Sequence, residues 1–179
     1  MVPSLLRVDL MGDAVALTEL RDGHVAELVR IRRTPQVRHR WGDVDADPGW
    51  PFDDDPDAVC FTVMVEGRIV GMIQYSEENT PQYRHAAIDL FLDPAVHGRR
   101  LGRDAVRVLA RHLVHDRGHH RLVIDPAADN VAAIHCYAAV GFRPVGLMRE
   151  YERDPDGSGW HDGLLMDLLA SELDVTPTL

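Results

Sequence analysis

The hydrophobic positions change period along this chain, and each change marks an element. Ala14 to Leu20 alternates as a strand, His24 to Arg33 spaces its apolar residues as a helix does, and Thr34-Pro35 opens another short helical segment. Val59 to Val65 and Arg68 to Tyr75 read as strands joined by a hairpin turn at Glu66-Gly67. His85 to Leu92 follows as a third run, after a polar loop at Glu77 to Tyr83. Leu101, Ala105, Val108, Leu109, Leu113 and Val114 then recur three and four residues apart, predicting a helix from about Arg99 to Arg117 that Gly118 ends. A short apolar run, Leu122 to Ile124, precedes a second amphipathic helix, opened by Asp129 and capped by Gly141. Pro144 to Arg153 and Trp160 to Leu169 are extended and joined by Asp154 to Gly159. No internal repeat is evident.

Composition narrows the picture. With 179 residues and 45% hydrophobic content, the expectation is one globular domain over residues 1–179. There is neither an apolar run of about eighteen residues nor a charged-then-apolar leader, so no membrane partner and a cytoplasmic location are expected. Cys60 and Cys136 sit inside apolar patterns and read as reduced thiols; the ten histidines lack ligand spacing, and no metal is expected. All nineteen basic residues are Arg, which excludes a lysine Schiff base. The net charge of −10, with dispersed Arg, argues against nucleic acid and for a cationic partner.

The stretch from Ile88 to Gly102 joins an apolar strand to a Gly-bearing basic turn and then a helix, the outline of a pyrophosphate site built from backbone N–H groups and a helix dipole. With Asp129 to Phe142 beside it, the chain resembles the GCN5-related N-acetyltransferase superfamily. The cofactor turn of that family aligns with His97, Gly98, Arg99, Arg100, Leu101 and Gly102, followed by Arg103; His97 stands where Arg or Gln is usual, and Arg100 where Gly is usual. The second family signature matches Asn130, Ala133, Tyr137 and Gly141-Phe142. The resemblance implies an α/β (α+β) fold: a mixed sheet of about seven strands with about four helices, splayed between its two central strands to admit acetyl-CoA. Backbone amides of Leu90, Phe91 and Leu92 then hold the pantetheine arm, and Tyr137 protonates the departing thiolate.

Within the superfamily the chain resembles the aminoglycoside 6′-N-acetyltransferases, through Trp41-Gly42, Ile88-Asp89 and Asp125-Pro126. That resemblance makes Asp89 the base that deprotonates the acceptor amine and Asp125 a substrate ligand. The segment from Trp41 to Asp57 carries seven Asp interrupted by Trp41, Trp50 and Phe52. It reads either as a solvated loop or as an acceptor wall in which Trp41, Asp43, Trp50, Asp53, Asp54 and Asp55 face a polycation. Three functions follow: acetyl transfer to an aminoglycoside 6′-amine, conferring antibiotic resistance; transfer to a ribosomal-protein N-terminus or another small amine, toward which the pattern from Arg149 to Leu169 leans; or a non-catalytic acyl-CoA-binding module, for which the departures at His97 and Arg100 speak. A monomer and a homodimer both fit.

Overall fold

The strands β5 (His85–Leu92) and β6 (Arg121–Ile124) run parallel, pair at Ala86–Leu122 and Ala87–Val123, and diverge beyond those residues. This divergence is the feature that positions the site. A parallel pair requires a crossover, and the connection from Leu92 to Arg121 supplies it through α3 (Leu101–Arg111). The computed structural model describes residues 9–52 and 57–174. Around the central pair lie β1 (Leu10–Met11), β2 (Ala16–Glu19), β3 (Val59–Val65), β4 (Arg68–Glu78), β7 (Arg143–Arg153) and β8 (Trp160–Leu169). They form one eight-stranded sheet in the order β1-β2-β3-β4-β5-β6-β8-β7, antiparallel except at β5–β6.

The mixed, centrally splayed α/β fold expected from the sequence is the one observed, with one strand more. That strand, β1, is two residues long, too short to show a period. The loop after it is fastened by Asp104, whose carboxylate accepts from the N–H groups of Asp13, Ala14 and Val15 at 3.2, 2.7 and 3.0 Å.

Alternation along the strands sorts the core into two layers. Ile73, Tyr75 and Ile88 face α3 and α4 (Val131–Ala138), together with Leu101, Leu109, Tyr137 and Phe142. Met72 and Phe91 face α1 (Asp22–Arg32) and α2 (Pro35–Trp41), with Leu28, Ile31, Val37 and Trp50.

Several boundaries differ from expectation, among them those of β2 (expected over Ala14 to Leu20) and α1 (expected over His24 to Arg33). The long helix read from Arg99 to Arg117 begins at Leu101 and ends at Arg111, continuing as a π-turn through Asp116. Its start is delayed because Gly98 and Arg100 both take left-handed backbone angles, φ +78° and +62°. Asn130, rather than Asp129, opens α4, accepting from the Ala133 N–H at 3.3 Å. Finally, β4 runs on to Glu78, beyond the expected end at Tyr75.

Gly71 pairs with Leu92 across β4 and β5, and a Cβ there would stand 2.2 Å from the Phe91 carbonyl oxygen. We therefore expect Gly71→Ala to push β4 from β5 and to destabilise the fold by about 3 kcal/mol. That corresponds to a fall of about 6–12 °C in melting temperature by calorimetry. A melting temperature equal to wild type would show that the strands part without strain.

Candidate active site

Two cavities meet at the divergence of β5 and β6. The larger, about 750 Å³, runs between α2, α4, the end of β5 and the turn into α3. Of the residues singled out for cofactor binding, Leu90, Phe91, Leu92, His97, Gly98, Arg100, Leu101, Gly102, Arg103, Asn130, Ala133 and Tyr137 all line it. Arg99 is exposed and lies off the lining. Because Arg100 adopts the left-handed angle itself, the turn forms here without the usual glycine, and the Asp104 N–H bonds to the Arg100 carbonyl at 3.2 Å.

The cleft suits a long ligand with an anionic end. Its walls are largely apolar, the start of α3 presents unpaired N–H groups, and Arg100 and Arg103 add positive charge. The Nε of Arg103 is buried without a hydrogen-bond partner, a donor that an anion can satisfy. Sequence reasoning missed Cys136, whose thiol reaches the lining from α4 and is pushed up by burial. Its place in an apolar pattern marked it only as core.

The smaller cavity, about 310 Å³, lies on the other side of the splay and is lined by Asp89, Asp125, Glu152 and His161 among others. Arg40, Trp41, Leu90, Asn130 and Tyr137 border both cavities, so the two are contiguous. Asp89 sits in the diverging part of β5, where the neighbouring strand has turned away, and Asp125 follows the last residue of β6. Asp89 keeps an accessible face on the cavity while protein crowds its other sides. Burial, reinforced by the charge of Asp125, pushes its carboxyl from 3.8 up to about 7, against the Leu90 N–H that donates to it at 2.8 Å. Burial also raises Asp125. Tyr137 is buried on the core side of α4, and burial, with the charge of Asp89 next, raises its phenol well above 10.

Of the two readings of the acidic, aromatic segment, a solvated loop or an acceptor wall, the described residues fit neither throughout. Among the described residues, Asp43 pairs with Arg38, Asp45 with Arg33 and Asp47 with Arg32, which fastens the loop to α1 and α2. Asp43 caps a 3₁₀ turn and lines a third cavity rather than the one holding Asp89. Trp50 is buried behind the wall, 6.1 Å from Phe91 by ring centroids, with the Arg32 guanidinium 4.6 Å above it. It offers no face to an acceptor. Trp41 does border the cavity, its edge against Phe91 at 5.0 Å, and Arg32 donates to its carbonyl at 2.8 Å. Asp53, Asp54 and Asp55 lie outside the described residues. The cause of the difference is the density of Arg on α1 and α2, whose facing only the tertiary structure reveals.

The family model of the acetyltransferase (GNAT) family matches residues 19–142, a span that contains β5, the cofactor turn, Asp125 and α4. The chain belongs to the GNAT acetyltransferase family. It is 36% identical over 88 residues to the N-alpha-acetyltransferase RimI of Mycobacterium tuberculosis (strain ATCC 25618 / H37Rv), an alignment covering 49% of this chain and about half, 53%, of that relative. Among solved structures, RimJ of Mycobacterium smegmatis in complex with CoA-disulfide superposes with a TM-score of 0.77 at 24% identity, over 95% of this chain and 90% of that one. AAC(6')-Ib in complex with paromomycin and acetyl-CoA superposes with a TM-score of 0.73 at 21% identity, over 93% and 100%. At these identities the two structures share the fold. The chain thus carries the family signature and the fold of the GNAT acetyltransferases. Among the described residues no cluster of His, Cys, Asp and Glu could hold a metal, and no helix is long and apolar enough to cross a membrane.

Proposed function

We propose that this GNAT enzyme is one catalytic domain that transfers the acetyl group of acetyl-CoA directly to a primary amine of a polycationic small molecule, the 6′-amine of an aminoglycoside, in the cytoplasm. The observation that carries this reading is the carboxylate pair Asp89 and Asp125, with Glu152 beside them, in a cavity that opens into the cofactor cleft at Leu90 and Tyr137. An amine at neutral pH is mostly ammonium and must lose a proton before it can attack. A carboxylate that titrates near 7 is matched to that task, while its partner anchors the positive charge.

In this mechanism Asp89 takes the proton and the nitrogen lone pair attacks the thioester carbonyl. Backbone N–H groups along Leu90 to Leu92 meet the oxyanion. As the C–S bond breaks, the thiolate takes the hydroxyl proton of Tyr137. The nitrogen sheds its second proton as it becomes an amide, and the phenol is restored from solvent, so one proton is released overall. Neither cysteine is needed as a nucleophile.

A protein N-terminal amine is the second reading, favoured by the 36% identity to RimI. The experiment that separates them is CoA release from acetyl-CoA in the presence of kanamycin, tobramycin, spermidine or ribosomal-protein N-terminal peptides. Turnover confined to aminoglycosides supports the proposal, turnover confined to peptides replaces it with the second reading, and tight CoA binding without turnover leaves a binding module.

The pH profile tests the carboxylate pair. The acidic limb of kcat/KM is expected near pH 7, where Asp89 ionises, and belongs to the coupled pair. Asp125→Asn removes the charge that opposes ionisation of Asp89, so the limb is expected to move to lower pH while the amine KM rises. A limb that stays in place would mean that the two carboxylates do not share a field.

A further inference from the structure

The last residue of α1, Arg32, is 5% exposed, deeper than any other Arg among the described residues, yet it lines the same cavity as Asp89, Asp125 and Glu152. Its guanidinium lies over the Trp50 ring at 4.6 Å, Nη2 donates to the Trp41 carbonyl at 2.8 Å, and Nη1 reaches Asp47 Oδ2 only at 3.4 Å. The Nε is buried without a hydrogen-bond partner. A guanidinium with its donors so incompletely met is a poor source of stability, because withdrawing a charge from water is costly and one good hydrogen bond with a long ion pair returns little of that cost. Its place on the cavity wall points to another use.

That use is at the end of α2. The carbonyls of a helix's last turn have no partner within the helix and form the negative end of its dipole. Trp41 is the final residue of α2, and Gly42 turns the chain away after it with a φ of +74°. From the neighbouring helix, Arg32 brings both a donor and a positive charge to the Trp41 carbonyl. The side chains then close a ring of contacts: Arg32 on Trp50, Trp50 at 6.1 Å from Phe91, Phe91 at 5.0 Å from the edge-on Trp41, and the Trp41 carbonyl back to Arg32. Phe91 lines the cofactor cleft, Arg32 the smaller cavity and Trp41 both, so this ring of contacts builds the wall where the two cavities meet.

We propose that Arg32 is a positioning residue of the acceptor site: held between the Trp50 face and the Trp41 carbonyl, it fixes the end of α2 and keeps Trp41 in place between the acceptor amine and the thioester. The proposal rests on the smaller cavity being the acceptor site. The approach of nitrogen to carbonyl is set at that junction, where a misplacement of about 1 Å is enough to slow the reaction. An arginine suits the task because its planar fork can lie on an aromatic face while its in-plane N–H groups reach a carbonyl; a lysine ammonium is a point charge with no such face.

Arg32→Met keeps an unbranched side chain for the Trp50 face and removes the donors and the charge. Two measurements decide the matter. In the free protein, the indole N–H of Trp41, assigned by its absence from Trp41→Phe, is expected to show exchange broadening by NMR relaxation dispersion that wild type lacks, a readout that needs no acceptor. With whichever of kanamycin, tobramycin, spermidine or the ribosomal-protein peptides the enzyme turns over, kcat/KM for that amine is expected to fall about tenfold, while the Kd of acetyl-CoA stays within about twofold. Arg32→Lys, which keeps the charge, is expected to change both quantities in the same direction by less, and it provides the test if Arg32→Met fails to fold. An indole signal as sharp as in wild type, or an unchanged kcat/KM, overturns the proposal. So does a loss of acetyl-CoA affinity as large as the loss in kcat/KM, which would make Arg32 a support of the whole fold. Because the indole signal is read without an acceptor, failure of every aminoglycoside as substrate would discard the aminoglycoside reading and leave the role of Arg32 to be decided on its own.

Discussion

Asp89→Asn is expected to lower acetyl transfer at pH 7 by about 100- to 10,000-fold, the range that a positioned general base supplies. Acetyl-CoA affinity, measured by calorimetric titration, should stay within about twofold, because the cofactor cleft is built from Leu90 to Leu92, the turn into α3 and α4, and Asp89 lines only the neighbouring cavity. Asn keeps the shape and can still accept from the Leu90 N–H. Turnover equal to wild type would remove Asp89 from the mechanism. The same substitution carries a stability signature. With its carboxyl raised from 3.8 to about 7, Asp89 is harder to ionise in the folded protein than in the unfolded chain. Its contribution is therefore fully present below about pH 4, is lost progressively as pH rises, and is gone above about pH 7. The melting temperature of the Asn variant, compared with wild type, should accordingly climb between pH 4 and pH 7 and level off above. A function-bearing carboxylate that costs stability where it works is what an evolved base in a crowded cleft entails.

Tyr137→Phe is expected to slow the single-turnover rate of acetyl transfer by about a hundredfold, with the amine KM nearly intact. The phenol is buried at the junction of the two cavities, so its loss should be felt at the collapsing thioester rather than in acceptor binding. Since its proton is held well above pH 10 by burial and by the charge of Asp89, the acid is in place over the whole working range. The wild-type rate should consequently show a plateau up to about pH 9, with no descending limb from this group. A normal single-turnover rate in the Phe variant would assign Tyr137 to the core alone, where it already packs against Phe142 at 6.4 Å between ring centroids.

Much of this molecule was legible in the order of its residues, for a physical reason particular to each part. The strands and helices follow from period, since a half-buried strand and an amphipathic helix must repeat their apolar residues at two and 3.6. Most of the cofactor cleft was legible because one continuous stretch, Leu90 to Arg103, and one helix, opened by Asn130, make two of its walls, and neighbours in sequence remain neighbours in space; the third wall, Gln36 to Trp41 of α2, carries no such motif. Asp89 was reached through the resemblance to the aminoglycoside 6′-N-acetyltransferases, which matches Ile88-Asp89 on the strand that leads into the cofactor turn.

Other features were decided by tertiary structure alone. The acidic loop's composition could not tell which carboxylates remain available. That depends on Arg32, Arg33 and Arg38, brought against Asp47, Asp45 and Asp43 only once α1 and α2 pack. Arg100 could not be read as a replacement for the turn glycine until its left-handed backbone was seen. The sequence by itself therefore determined the elements, the family resemblance and the residues of the cofactor turn, because local periodicity and contiguous motifs encode them. Which charges are neutralised and which aromatic faces are open were left to the folded chain, because ion pairing and cavity shape arise from contacts between segments that no local pattern connects.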